Sequence, residues 1–114
     1  MELDEAVSAL AALAQQSRLE VFRLLVEAGA LGVAAGQIAE RLALPGATLS
    51  FHLSQLRQAG LVAVRREGRS LIYRAEYGAM NALLAYLTEN CCEGDPAACG
   101  VLVCAPGLAR DAGV

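Results

Sequence analysis

The chain has 114 residues, of which 56% are hydrophobic and 18% charged, and a formal net charge of −3. This length predicts a single small domain, and the sequence has no apolar run of eighteen residues that could form a transmembrane helix. The acidic segment Met1–Glu5 lacks the basic region of a signal peptide, so we expect a cytoplasmic protein with no membrane partner.

Charge is divided unevenly along the chain. Residues 41–75 carry six arginines against one acid, Glu67, for a net +5, whereas residues 1–40 and residues 76–114 each sum to −4. One basic region in an acidic protein indicates the surface that meets phosphate, and therefore predicts nucleic-acid binding by this region.

The spacing of apolar residues predicts four helices in the first half of the chain. They cover Leu3–Ala14, a stretch from Ser17 to a stop at Gly29, Gln37–Leu42, and about Ala47–Ala59. Ser17 and Glu20 have the spacing of a capping box, which predicts that the second helix begins at Ser17. Pro45 and Gly46 predict a turn between the third and fourth helices.

After Gly60 the apolar period changes from helical to two, which predicts strands over Leu61–Arg66 and Ser70–Ala75 joined through Glu67–Arg69. A last helix follows over Tyr77–Asn90. This order predicts a mainly α fold with a β-hairpin wing, a winged helix-turn-helix. We expect residues 1–90 to form the DNA-binding and dimerisation domain, and residues 91–114, rich in Gly and Pro, to form a tail.

The fourth helix has the pattern of a recognition helix, which enters a major groove about 12 Å wide and reads it with polar side chains. Polar side chains alternate with its apolar stripe of Leu49, Leu53 and Leu56. The candidate DNA contacts are Thr48, Ser50, His52, Ser54, Gln55 and Arg57 on the helix, with Arg66 and Arg69 at the hairpin. The alternatives are that Thr48 or Ser50 caps the helix, and that His52 makes only a local hydrogen bond.

All four cysteines lie at the end of the chain, as Cys91, Cys92, Cys99 and Cys104. Neighbouring cysteines are poor disulfide partners, because a trans peptide holds their Cα atoms about 3.8 Å apart, below the usual range of about 4.4 to 6.8 Å. Two thiolates suit a soft ion, and Cys99 would supply a third sulfur. A four-thiolate zinc or cadmium site and a thiol redox switch are the alternatives.

The motifs along the chain resemble those of the ArsR/SmtB family of bacterial metal-responsive repressors. The similarity covers roughly residues 5–92 and lies in four stretches: Ser17–Leu25, Ile38–Leu42, Thr48–Val62 and Arg65–Arg74. The resemblance implies a transcriptional repressor that binds double-stranded operator DNA. The surplus of apolar helix surface in so short a chain predicts a homodimer, which we expect to form through the first and last helices. The sequence has no Gly-rich phosphate loop, paired carboxylate motif or serine nucleophile context, so we expect no enzyme activity and no coenzyme.

Tyr86–Cys92 resembles the end of the last helix in a smaller set of arsenic repressors within this family. That resemblance implies that Cys91, Cys92 and Cys99 bind trivalent arsenic or a related thiophilic metalloid, with Cys104 as an alternative ligand. Metalloid binding would then release the DNA. Residues one apart on a helix point about 100° apart, so we expect two thiols at a helix end to share an ion only if that end unwinds or the tail folds back.

Overall fold

A computed structural model of the chain describes residues 1–91, which form five helices and three strands. In chain order these are α1 (Leu3–Leu13), α2 (Gln16–Ala28), β1 (Val33–Ala34), α3 (Ala35–Leu42), α4 (Gly46–Gln58), β2 (Val62–Glu67), β3 (Ser70–Ala75) and α5 (Tyr77–Leu87). This order confirms the predicted winged helix-turn-helix.

The chain divides into two compact units. One unit, Glu2–Tyr77, contains α1 to β3 and therefore every predicted DNA contact. The other contains Met1 and, among the described residues, 78–91. The predicted boundary between domain and tail at residue 90 stays a prediction, because residues 92–114 lie outside the described residues.

The core of the first unit is built from one face of each helix. Its largest fully buried side chains are Val21, Leu25, Ile38, Leu53, Leu56 and Leu61. Leu49 is also buried, so the predicted apolar stripe of α4 faces this core. The burial of the stripe fixes which side of α4 faces outward.

The sheet has three antiparallel strands in the order β1-β3-β2, one more than the predicted hairpin. β1 is only two residues long, pairing Val33 with Tyr73 and Ala34 with Ile72, and so short a strand gives no visible period of two in the sequence. The turn of the hairpin is shorter than predicted, because Glu67 pairs with Ser70 and only Gly68 and Arg69 connect the strands.

The second helix begins one residue before its predicted start and has a different cap. α2 begins at Gln16, and the side chain of Gln15 accepts a hydrogen bond of 2.8 Å from the backbone N–H of Arg18. The predicted capping box of Ser17 and Glu20 is therefore wrong, since Gln15 already occupies the capping position.

The last helix ends three residues earlier than predicted. α5 stops at Leu87, and Asn90 has a φ of 58°, in the left-handed region that ends helices. The backbone N–H of Cys91 donates to the carbonyl of Thr88 at 3.0 Å, in a turn beyond the helix. The prediction that the vicinal cysteines close a continuous helix is therefore wrong for Cys91. None of the helices within residues 1–91 is long and apolar enough to cross a membrane.

Candidate nucleic-acid interface

The outward face of α4 consists mainly of small and polar side chains. Thr48, Ser50, Ser54 and Arg57 are all exposed, whereas Gln55 is half-buried. The buried leucines on the opposite face hold the helix axis in place, so these side chains are presented in a fixed register. An exposed polar helix face of this kind can enter a major groove and offer hydrogen bonds to base edges.

His52 does not lie on that face. Only 7% of the residue is exposed, and its Nδ1 is buried with no hydrogen-bond partner among the described residues. Its position therefore disagrees with the predicted DNA contact. The helical period explains the error, because His52 lies three residues after Leu49 and four before Leu56, on the side of the helix that faces the core.

Phe51 is a residue of this face that the sequence prediction missed. It is 57% exposed and lies on α4 between the exposed serines Ser50 and Ser54. The helical wheel contained the signal, since Phe51 lies four residues after Ala47 and three before Ser54. It was not among the predicted contacts, which are all polar or charged residues.

The arginines of the basic region differ in whether they have an acidic partner. Arg65 pairs with Glu67 at 2.9 Å and Arg74 with Glu76 at 3.9 Å. Within the described part of the chain, four arginines of this region are exposed and have no carboxylate within 4.0 Å: Arg41, Arg57, Arg66 and Arg69. An exposed guanidinium without a carboxylate partner retains its donors for phosphate.

The wing that carries Arg66 and Arg69 is anchored at its base. The Nη2 of Arg65 donates to the carbonyl of Leu31 at 2.9 Å, which ties β2 to the loop before β1. Gly32 in that loop has a φ of +81°, and a Cβ built there would lie 2.6 Å from the carbonyl oxygen of Tyr73. The loop therefore passes against β3 more closely than a side chain allows.

Known proteins share this arrangement. Residues 13–65 match a helix-turn-helix domain family. The transcriptional activator HlyU of Vibrio cholerae is 32% identical over 91 residues, which cover 80% of this chain and 82% of HlyU. A similar solved structure is the homodimeric winged helix-turn-helix DNA-binding domain of Mb0332 from Mycobacterium bovis, a possible ArsR-family transcriptional regulator. It superposes with a TM-score of 0.62 at 32% identity, and the match covers 82% of this chain and 87% of that one. The chain belongs to the ArsR/SmtB family.

As a member of the ArsR/SmtB family, the chain is a DNA-binding transcriptional regulator, and its relatives are regulators rather than enzymes. A further similar structure is described as a possible transcriptional regulator for arsenical resistance, with a TM-score of 0.61 at 27% identity, and covers 70% of this chain and 80% of that one. The relatives thus include a named activator and a regulator associated with arsenic.

Of the predicted thiol ligands, only Cys91 falls within the described residues, where it is half-buried. Cys92, Cys99 and Cys104 lie outside them. Between Met1 and Cys91 no three His, Cys, Asp or Glu side chains come together in a metal-binding arrangement. The predicted thiol site of this ArsR/SmtB protein therefore stays a prediction.

Proposed function

We propose that the protein is a transcriptional repressor that binds operator DNA as a homodimer and releases it when trivalent arsenic binds the cysteines after α5. The observation that carries the DNA-binding part is the exposed polar face of α4, together with four exposed arginines that have no carboxylate partner among residues 1–91. The small polar side chains of the helix can contact base edges when the helix lies in the groove. The arginines supply positive charge for the phosphates on either side.

Exposed apolar side chains on α1 and α5 support the homodimer. Leu3, Val7 and Leu10 follow one another at helical spacing on α1, and all three are exposed. Leu84 and Leu87 of α5 are exposed as well. Apolar stripes of this kind are buried in a partner when one is available, and a two-fold dimer buries the same stripe twice. The homodimeric state of the Mycobacterium bovis relative favours the same assembly here.

The cysteines support arsenic as the effector. As(III) binds three thiolates, and Cys91 lies beyond the last turn of α5, after the left-handed residue Asn90. Because Cys91 is outside the regular helix, no unwinding of α5 is needed for its thiol and that of Cys92 to turn toward one ion. We expect Cys99 to be the third ligand, with Cys104 as the alternative.

Release of DNA requires only a modest coupling between the two sites. A hundred-fold loss of operator affinity corresponds to about 2.7 kcal/mol. Ligation of one ion by Cys91, Cys92 and Cys99 would link residue 99 to the end of α5. Any change in how α5 meets a second subunit then alters the spacing of the two recognition helices, which must match half-sites about one DNA turn apart.

The test uses the full reduced chain and an operator selected from a random duplex library, with binding followed by fluorescence anisotropy during titration with arsenite. We expect the wild type to release DNA, and the Cys91→Ser, Cys92→Ser and Cys99→Ser variants to bind DNA normally but to retain it in arsenite. Cys104→Ser is the matched control, for which we expect release close to that of the wild type.

Other outcomes would assign other functions. Normal release by Cys91→Ser and Cys92→Ser would rule out the arsenic site. Release by zinc or cadmium but not arsenite, lost in all four serine variants, would indicate a four-thiolate metal sensor. Release by peroxide alone would indicate a redox sensor. If a reporter gene behind the operator is expressed less when the gene for this protein is deleted, the protein is an activator, as HlyU is named.

A further inference from the structure

Phe51 is the largest apolar side chain on the outward face of the recognition helix. The chain has two phenylalanines, and the other, Phe22, is buried in the core. Phe51 instead exposes 57% of its surface, beside the small residues Ala47, Ser50 and Ser54. It therefore protrudes beyond its neighbours on the surface that we propose enters the major groove.

The ring of Phe51 lies beside the ring of His52, with centroids 5.9 Å apart and planes inclined by 59°. His52 is itself buried, so this contact lies on the side of Phe51 that faces the core. The contact covers only part of Phe51, and the exposed remainder of its surface is available to a partner.

An aromatic hydrocarbon ring can recognise only one feature of a base edge in the major groove. Phe has no hydrogen-bond donor or acceptor, and the apolar group that the groove presents is the C5-methyl group of thymine. From the exposure of Phe51, its place on α4 and its chemistry, we infer that Phe51 determines specificity by contacting a thymine methyl group in each operator half-site. This inference rests on the proposed DNA-binding role of α4.

The expected size of the effect follows from the burial of one methyl group. That burial corresponds to about a four-fold change in affinity, and a symmetric dimer contacting two half-sites would show about a fifteen-fold change. Contacts of Ser50, Ser54 and the arginines would be unaffected, because deletion of a methyl group leaves every hydrogen-bonding atom of the base in place.

The experiment replaces the thymines of the selected operator one at a time with deoxyuridine, which lacks only the C5-methyl group. Dissociation constants are measured for the wild type, Phe51→Ala and Phe51→Leu. At one thymine in each half-site we expect the substitution to weaken wild-type binding about four-fold, to leave Phe51→Ala unchanged and to have an intermediate effect on Phe51→Leu. Leu71→Ala removes another exposed apolar side chain and should keep the wild-type response.

Two results would overturn the inference. One is that no deoxyuridine position distinguishes Phe51→Ala from the wild type. The other is that Phe51→Ala changes the oligomeric state of the protein in analytical ultracentrifugation, which would place Phe51 in a subunit contact. Failure of the proposed function looks different, since the wild type would then show no salt-dependent binding to any selected duplex.

Discussion

The recognition helix and the wing both present exposed arginines, but they are held in different ways. α4 is fixed by three buried leucines, Leu49, Leu53 and Leu56, which pack into the core. The hairpin of β2 and β3 is held by backbone pairing and by attachments at its base, such as the hydrogen bond from Arg65 to the carbonyl of Leu31. Its tip, around Gly68, is exposed.

This difference separates the two kinds of damage that a substitution can do. A change on the inner face of α4 removes core packing, so it lowers the free energy of unfolding and affects DNA binding only as a consequence. A change at an exposed arginine of the wing leaves the core intact and affects binding directly. A change in the loop before β1 falls between these two kinds of damage, because this loop determines where the wing begins.

The largest expected effect is on the inner face of α4. Leu56→Ala creates a cavity at a fully buried position and should lower the free energy of unfolding by about 2 to 5 kcal/mol. Leu71→Ala makes the same chemical change on the wing, where the side chain is 39% exposed, and should cost less than about 1 kcal/mol. Urea denaturation followed by circular dichroism measures both. Equal losses would mean that the wing is packed as tightly as α4.

The second effect tests the base of the wing. In Gly32→Ala the new Cβ meets the carbonyl oxygen of Tyr73, and the φ of +81° is unfavourable for alanine, so we expect a loss of about 2 to 4 kcal/mol. Gly36→Ala is the matched control on α3. Apart from its chain neighbours and the backbone of its own helix, no atom of residues 1–91 lies within 4 Å of a Cβ built at Gly36. Alanine favours a helix, so stability should rise by up to about 1 kcal/mol. A tolerated Gly32→Ala would show that the loop can move away from β3.

The sequence predicted the features that depend on apolar spacing and missed those that depend on tertiary contacts. The stripe of α4 and both wing strands repeat with clear periods, so their positions could be predicted to within about two residues. β1 could not, because two residues carry no period and pair only with a strand distant in sequence. The early end of α5 depends on the backbone conformation at Asn90, to which the apolar spacing is insensitive.

The candidate site shows the same limit. Ser50, Ser54, Arg66 and Arg69 were predicted from polarity and position, and the structure exposes all four. His52 was predicted as a contact from its polarity but is buried, whereas its neighbour Phe51, which the prediction left out, is exposed. Which side of a helix faces the core is decided by the helix as a whole, so polarity at a single position is a weaker guide than its place on the wheel.

The smallest expected effect is on DNA binding alone. Arg66→Ala and Arg69→Ala each remove from the wing an exposed charge that has no carboxylate partner within residues 1–91, so folding stability should change by less than about 0.5 kcal/mol. If each arginine neutralises one phosphate, each substitution should reduce the slope of log affinity against log salt by about 0.9 per protomer. This slope is measured by anisotropy titrations from about 50 to about 200 mM salt, a range over which phosphate contacts weaken strongly.

Arg65→Ala is the matched control, because it removes the same charge from the same hairpin. Arg65 already donates to Glu67 and to the carbonyl of Leu31, so its loss should lower stability by about 1 kcal/mol and leave the salt slope nearly unchanged. The contrast therefore depends on whether an arginine is already hydrogen-bonded within the protein. A salt slope that falls equally in Arg65→Ala and Arg66→Ala would mean that the wing approaches DNA as a diffuse charge, rather than through its exposed, unpaired arginines.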